Sequence, residues 1–174
     1  MNVLAKFAPI KLFVFDVDGV LTDGKLILLE SGEMARSMNV KDGYAMQLAI
    51  KQGYEILIIS GGTSEAVKTR LVKLGIKNIA LGIKDKRQIL INFLLENDFL
   101  ENQTLYMGDD MPDVAPMKVV GLACAPADAV KEVLEISTYI SPKIGGSGCV
   151  RDVIEKVLKL NGHWKEEEYN ITSA

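Results

Sequence analysis

The chain has almost no imidazole or thiol chemistry: one histidine, His163, in a polar C-terminal stretch, and two cysteines, Cys124 and Cys149, far apart with no CxxC pair. That excludes His-rich zinc sites, Cys/His fingers and iron–sulfur clusters. A Ser-His-Asp or Cys-His engine would need the one histidine to reach the core. Two such cysteines make no disulfide framework and fit buried thiols in a reducing compartment. No apolar run approaches the roughly 18 residues of a membrane span. Residues 1–11 are too short and interrupted for a signal peptide, so a cytoplasmic protein without membrane attachment is expected. Excess charge is missing too. Lys+Arg 20 against Asp+Glu 23 leaves a net charge of -3, without the basic face that tracks nucleic acid. The 174 residues, 48% hydrophobic, suit one domain over 1–164 with a polar tail at 165–174.

Short apolar runs alternate with helical patterns. Residues 11–15, 55–59, 78–81 and 104–107 are bounded by Gly or Asp, as strands buried on both faces should be. Between them, residues 43–52 carry helical spacing ended by Gly53. Thr63 or Ser64 can cap a helix that stops before Gly75, and residues 85–97 form a third. The order predicts an α/β fold: a doubly wound, Rossmann-like parallel sheet with helices on both faces. Residues 25–30 and 34–40 flank Ser31-Gly32 and read as an inserted β-hairpin. Leu26, Ile27, Leu28 and Leu29 are apolar in succession, so both its faces ask for burial, either against the chain's own domain or against another subunit. Residues 150–160 make a final helix after the Gly145-Gly146-Ser147-Gly148 loop.

The first strand ends in Asp16-Val17-Asp18-Gly19 and the fourth in Gly108-Asp109-Asp110-Met111-Pro112-Asp113. In a doubly wound sheet both clusters reach the same carboxyl edge and converge. Two carboxylates about 4 Å apart repel by roughly 4 kcal/mol at an effective dielectric of 20, so a cation must neutralise them. Oxygen donors without His or Cys select hard Mg²⁺. Ser60-Gly61-Gly62 offers a hydroxyl and open backbone N–H groups beside a helix start, and Lys86 adds a point charge. Nucleophilic carboxylate, neighbouring acid/base carboxylate, metal and phosphate clamp together describe phosphoryl transfer.

DVDGV, ISGG, Lys86 and GDDMPD, in this order and at these strand ends, resemble the four signature motifs of the haloacid dehalogenase superfamily of phosphatases. The resemblance implies that Asp16 is the nucleophile that becomes an aspartyl phosphate and that Asp18 serves as acid and then base. It implies Mg²⁺ on Asp16, the Asp18 carbonyl and Asp109, supported by Asp110 and Asp113, with Ser60 and Lys86 holding the phosphoryl group. The intervals between motifs leave no room for a cap domain, so the open site takes a bulky substrate or is closed by a neighbouring subunit.

Residues 11–164 further resemble the capless, tetrameric 3-deoxy-D-manno-octulosonate 8-phosphate phosphatase family. DVDGVLTDG, SGE, NVKDGYAMQLA, ISGGTSEAV, MGDDMPD and GGSGCVRDV carry the likeness. The family implies hydrolysis of a small sugar-acid phosphate on the path to lipopolysaccharide, in a cytoplasmic homotetramer. Along its substrate path would lie Asn39, Val40, Lys41, Asp42, Gly43, Gln47, Gly61 and Arg70, beside Asp18, Ser60 and Lys86. Arg70 suits a sugar carboxylate or phosphate, or is a solvent-facing helix residue. The 145–148 segment approaches an active site, its own or a neighbour's, or is a plain loop. Many members carry Arg where this chain has Gly62. A nine-carbon keto-deoxy sugar acid phosphate would use the same catalytic residues, and a phospho-accepting receiver or a weakly active regulatory domain related to acylneuraminate cytidylyltransferase are the other readings.

Overall fold

A computed structural model describes residues 3–165. Strand β1 (Leu12–Phe15) leads through an irregular turn into the hairpin strands β2 (Ile27–Leu28) and β3 (Met34–Ala35), then helix α1 (Val40–Lys51). Strand β4 (Glu55–Ile59), helix α2 (Glu65–Lys73), strand β5 (Asn78–Ala80) and helix α3 (Lys86–Glu96) follow. Next come β6 (Thr104–Met107), a short α4 (Val114–Met117), β7 (Leu122–Ala125), α5 (Lys131–Ile136), β8 (Tyr139–Ile140) and α6 (Cys149–Leu160). The main sheet is parallel throughout, in the order β5-β4-β1-β6-β7-β8.

Strand alternation sorts the core into two layers. Phe13, Phe15, Ile56, Ile58, Leu105 and Met107 pack with α1, α2 and α6, whereas Leu12, Val14, Leu57, Ile59 and Tyr106 face α3, α4 and α5. Each fully buried side chain of this size contributes about 1.5–3 kcal/mol. Burial on both faces explains why β1 and β6 read as continuous apolar runs, whereas β5, expected to be buried on both faces as well, is only half-buried because it lies at the sheet edge. In α6, Val150, Val153, Ile154, Val157 and Leu158 form the buried stripe.

The expected doubly wound sheet and hairpin are present, with three differences. Helix α1 begins at Val40 rather than at 43, because the Asn39 side chain accepts from the Lys41 N–H at 2.8 Å and caps it. Strands β7 and β8 extend the sheet beyond the four expected. The apolar residues of the hairpin are not covered by their own domain, since Ile27 is 60% and Leu28 74% exposed. Between β1 and β4 stand only the hairpin and α1, and between β4 and α3 only α2 and β5. The expected tail, apart from Lys165, lies outside the described residues. No helix among the described residues is long and apolar enough to cross a membrane.

Candidate active site

The chain leaves β1 toward β4 and β5, then returns to the other side of β1 at β6. That reversal opens a crevice at the carboxyl edge, where ligands bind in open α/β sheets. Asp16 follows β1 on one side of it and Gly108-Asp109 follow β6 on the other. Gly19 has φ +87°, and a Cβ there would stand 1.9 Å from Asp109 Oδ2, so only glycine lets the β1 loop lie on that carboxylate.

Lys86, set in the first turn of α3 after its cap Asp85, reaches into the crevice. Its Nζ lies 2.8 Å from Asp16 Oδ2 and 2.9 Å from Asp113 Oδ1. Asp16 Oδ1 accepts from the Val17 N–H at 2.7 Å. Asp113 is wholly committed: Oδ1 also accepts from the Tyr106 hydroxyl at 2.7 Å, and Oδ2 from the Asp109 and Asp110 N–H groups at 3.1 and 3.4 Å. Asp109 differs, for its Oδ1 is buried without a partner.

Carboxylate oxygens of Asp16, Asp109 and Asp113 fall within 4.8 Å of one another. Three carboxylates and one ammonium leave two negative charges. Burial first, then the Asp113 carboxylate, pushes Asp16 up to about 7 although Lys86 pulls it down. Burial, then Asp16 and Asp113, pushes Asp109 to about 7 as well. Burial would lower the Lys86 ammonium, but Asp113 and Asp16 outweigh it and its pKa rises. A crevice with excess negative charge, an unpartnered buried oxygen and oxygen donors alone fits a hard divalent cation such as Mg²⁺.

Asp18 lines a small cavity with Ser60 and Gly62, next to the nucleophile candidate. Ser60 is buried at the end of β4, and its Oγ accepts from the Gly62 N–H at 3.1 Å. The structure therefore brings Asp16, Asp18, Ser60, Lys86, Asp109 and Asp113 to one edge, with Asp110 and Gly61 in the flanking loops.

The expected substrate-path residues stand further out. Asn39 Nδ2 donates to the Gly146 carbonyl at 3.3 Å, and the Gly146 N–H donates to the Val20 carbonyl at 2.9 Å. The 145–148 segment thus packs on its own chain's loop after β1, and a Cβ on Gly145 would stand 2.0 Å from the Gly19 oxygen. Val40 and Lys41 are exposed, Lys41 on a cleft beside Arg151 and Lys143. Asp42 is buried and accepts from the Arg151 N–H at 2.7 Å, capping α6. Burial pushes it to about 6. Arg70 reaches toward Gly43, where a Cβ would meet its Nη2 at 2.9 Å. Gln47 is half-buried in α1. His163 pairs with Tyr54, before the amino end of β4, at 2.9 Å.

Sequence reasoning missed Arg36 and Tyr106. Arg36, just past β3, forks the Asp18 carboxylate, with Nε 2.7 Å from Oδ1 and Nη2 3.3 Å from Oδ2. Nothing in the hairpin's pattern marks it, because its partner is a loop residue of another element. Tyr106 sits inside an apolar strand run, where its hydroxyl is invisible to periodicity.

A doubly wound parallel sheet without a cap, two aspartates after its first strand, and a Ser, Lys and Asp set at the same edge define a haloacid dehalogenase-type phosphohydrolase. No protein-family model matches the chain. It is 34% identical over 165 residues, 95% of its length, to the 3-deoxy-D-manno-octulosonate 8-phosphate phosphatase KdsC of Escherichia coli K12, covering 88% of that protein. The Moraxella catarrhalis 3-deoxy-D-manno-octulosonate 8-phosphate phosphatase, solved with magnesium, phosphate and KDO, superposes with TM-score 0.88 at 33% identity, covering 91% of each chain. The Yersinia pestis phosphatase of the same name superposes with TM-score 0.91 at 31% identity, over 99% of this chain and 91% of that one. The chain belongs to the 3-deoxy-D-manno-octulosonate 8-phosphate phosphatase family.

Proposed function

We propose that the chain hydrolyses 3-deoxy-D-manno-octulosonate 8-phosphate to 3-deoxy-D-manno-octulosonate and inorganic phosphate, with Mg²⁺ as cofactor, in lipopolysaccharide precursor synthesis. The observation that carries this is the Asp16 carboxylate, fixed by Lys86 at 2.8 Å beside the unpartnered Asp109 oxygen. The site fits Mg²⁺ on Asp16, the Asp18 carbonyl and Asp109. Asp113 has no lone pair to spare and supports from behind, as does Asp110. Bound there, Mg²⁺ neutralises charge on the carboxylates and the transferring phosphoryl group.

An Asp16 oxygen attacks phosphorus as the ester oxygen departs with a proton from Asp18, leaving an aspartyl phosphate. Asp18 then takes a proton from water, whose oxygen attacks phosphorus and returns Asp16 and free phosphate. Lys86 and the Ser60 hydroxyl hold the phosphoryl oxygens. Asn39, Val40, Lys41, Asp42, Gly43, Gln47, Gly61 and Arg70 make up the surrounding substrate path. The protein works in the cytoplasm as a homotetramer, in which the exposed apolar hairpin residues contact neighbouring subunits that close each site. The exposed faces of Ile27 and Leu28 support this assembly.

The test is a phosphate-release screen over sugar phosphates with wild type and Asp16→Asn. The eight-carbon substrate is expected to lead, above the nine-carbon 9-phosphate, with dependence on Mg²⁺ and no turnover by the amide variant. Preference for the nine-carbon acid overturns the substrate, and retained Asp16→Asn turnover overturns the nucleophile.

A further inference from the structure

Arg36 separates two spaces. On one side is the small cavity with Asp18 and Ser60, and on the other a groove of about 560 Å³ between the hairpin and the start of α2. Both are lined by Arg36 and Gly62. The Arg36 guanidinium, held on the acid/base candidate Asp18, stands between that cavity and the groove, so a leaving group that extends from the cavity into the groove passes Arg36. Its charged walls are Glu33, Glu65 and Arg36. Two carboxylates there repel an anionic leaving group, and the guanidinium is the one cationic side chain among the described residues lining the groove to offset them.

The arginine is also placed to change partners. Its side chain is 9% exposed, against 37% for the Asp18 carboxylate that it forks. Gly62 adds no side chain over this contact, and a Cβ there would stand 3.4 Å from Asp18 Oδ2 and 3.6 Å from Arg36 Nη2. A planar guanidinium binds carboxylates in two parallel hydrogen bonds and can exchange one carboxylate for another of the same geometry. A neutral leaving group has nothing to offer in exchange.

We infer that Arg36 is a specificity-determining residue that reads a second anionic group on the leaving group, the carboxylate of a sugar acid, by moving its fork from Asp18 to the substrate. This rests on the proposed sugar-acid phosphate activity and adds the group that recognises the acid. While no acid is bound, Arg36 occupies Asp18. An acidic leaving group takes the fork and releases Asp18 toward the ester oxygen, whereas a neutral sugar phosphate leaves Asp18 engaged.

The test compares kcat/KM for 3-deoxy-D-manno-octulosonate 8-phosphate and for mannose 6-phosphate in wild type, Arg36→Gln and Arg36→Lys. Losing a charged, forked contact is expected to cut the acid-over-neutral ratio about 10- to 100-fold in Arg36→Gln, through KM for the acid. Arg36→Lys, which keeps the charge without the fork, is expected between the two. Inhibition by free 3-deoxy-D-manno-octulosonate is expected to weaken by the same factor in Arg36→Gln, while inhibition by inorganic phosphate stays unchanged. If wild type prefers the acid and both variants keep its ratio, the inference is overturned and the substrate reading stands. If wild type shows no preference for the acid, the substrate reading falls and takes the inference with it. Equal loss of acid and phosphate inhibition would assign Arg36 a structural role and also overturn the inference.

Discussion

Replacing Lys86 by Met keeps the stem up to the position of the lysine Cε and removes the charge at the centre of the site. The ammonium lies 2.8 and 2.9 Å from two buried carboxylates and is itself only 5% exposed. Each contact is worth roughly 6 kcal/mol of Coulomb attraction at an effective dielectric of 20, much of it offset by desolvation. Removing one partner of a buried pair nonetheless costs about 3–5 kcal/mol, because the other charge is stranded. The loss depends on pH in a definite direction. Asp16 already stands near 7 with the ammonium beside it, and deleting the cation that lowers it drives it higher. A carboxyl whose folded pKa exceeds its unfolded one holds more protons when folded, so stability falls as pH rises through the window between them. Urea unfolding in chelator should therefore show a deficit of about 3–5 kcal/mol near pH 8 that shrinks toward pH 5. A deficit below about 1 kcal/mol near pH 8, or an equal one at both pH values, refutes the electrostatic account of this site.

Gly19→Ala should cost about 1–3 kcal/mol from positive φ alone. Its methyl would also collide with Asp109, so Mg²⁺ affinity measured by titration calorimetry should fall with stability; unchanged affinity removes the close-packing argument. Excess chelator should stop phosphate release and added Mg²⁺ restore it, whereas persistence in chelator contradicts the metal site. Polar substitution at Leu26 and Leu28 should lower the solution mass seen by light scattering and turnover together; an unchanged mass removes the hairpin from assembly.

The central strands legible in the sequence share one physical cause. Strands β1, β4 and β6 are buried on both faces and lie next to each other at the centre of the sheet, so selection for apolar side chains is continuous along them. Strand β7, Leu-Ala-Cys-Ala, is just as buried but, after Leu122, built from small side chains without β-branching, and β8 has two residues. Pairing with neighbours makes both into strands, a tertiary cause with no local signal. The hairpin was legible from its turn, but which of its faces would be covered was not, because hydrophobicity records the need for burial and not the partner.

The candidate site follows the same division. Asp16, Asp18, Ser60, Lys86 and Asp109 stand at strand or helix ends, where chain order alone dictates convergence on the switch point. Asp42, expected along the substrate path, also caps α6 from a helix distant in sequence, a contact that spacing cannot encode. Arg36 illustrates the limit most directly: eighteen residues separate it from Asp18, and only the return of the hairpin over the β1 loop joins them. The residues proposed to carry the reaction sit at ends of central strands or, for Lys86, at a helix start, and were readable there. Arg36, proposed to choose among substrates, comes from an insertion, whose placement depends on how the loop folds back.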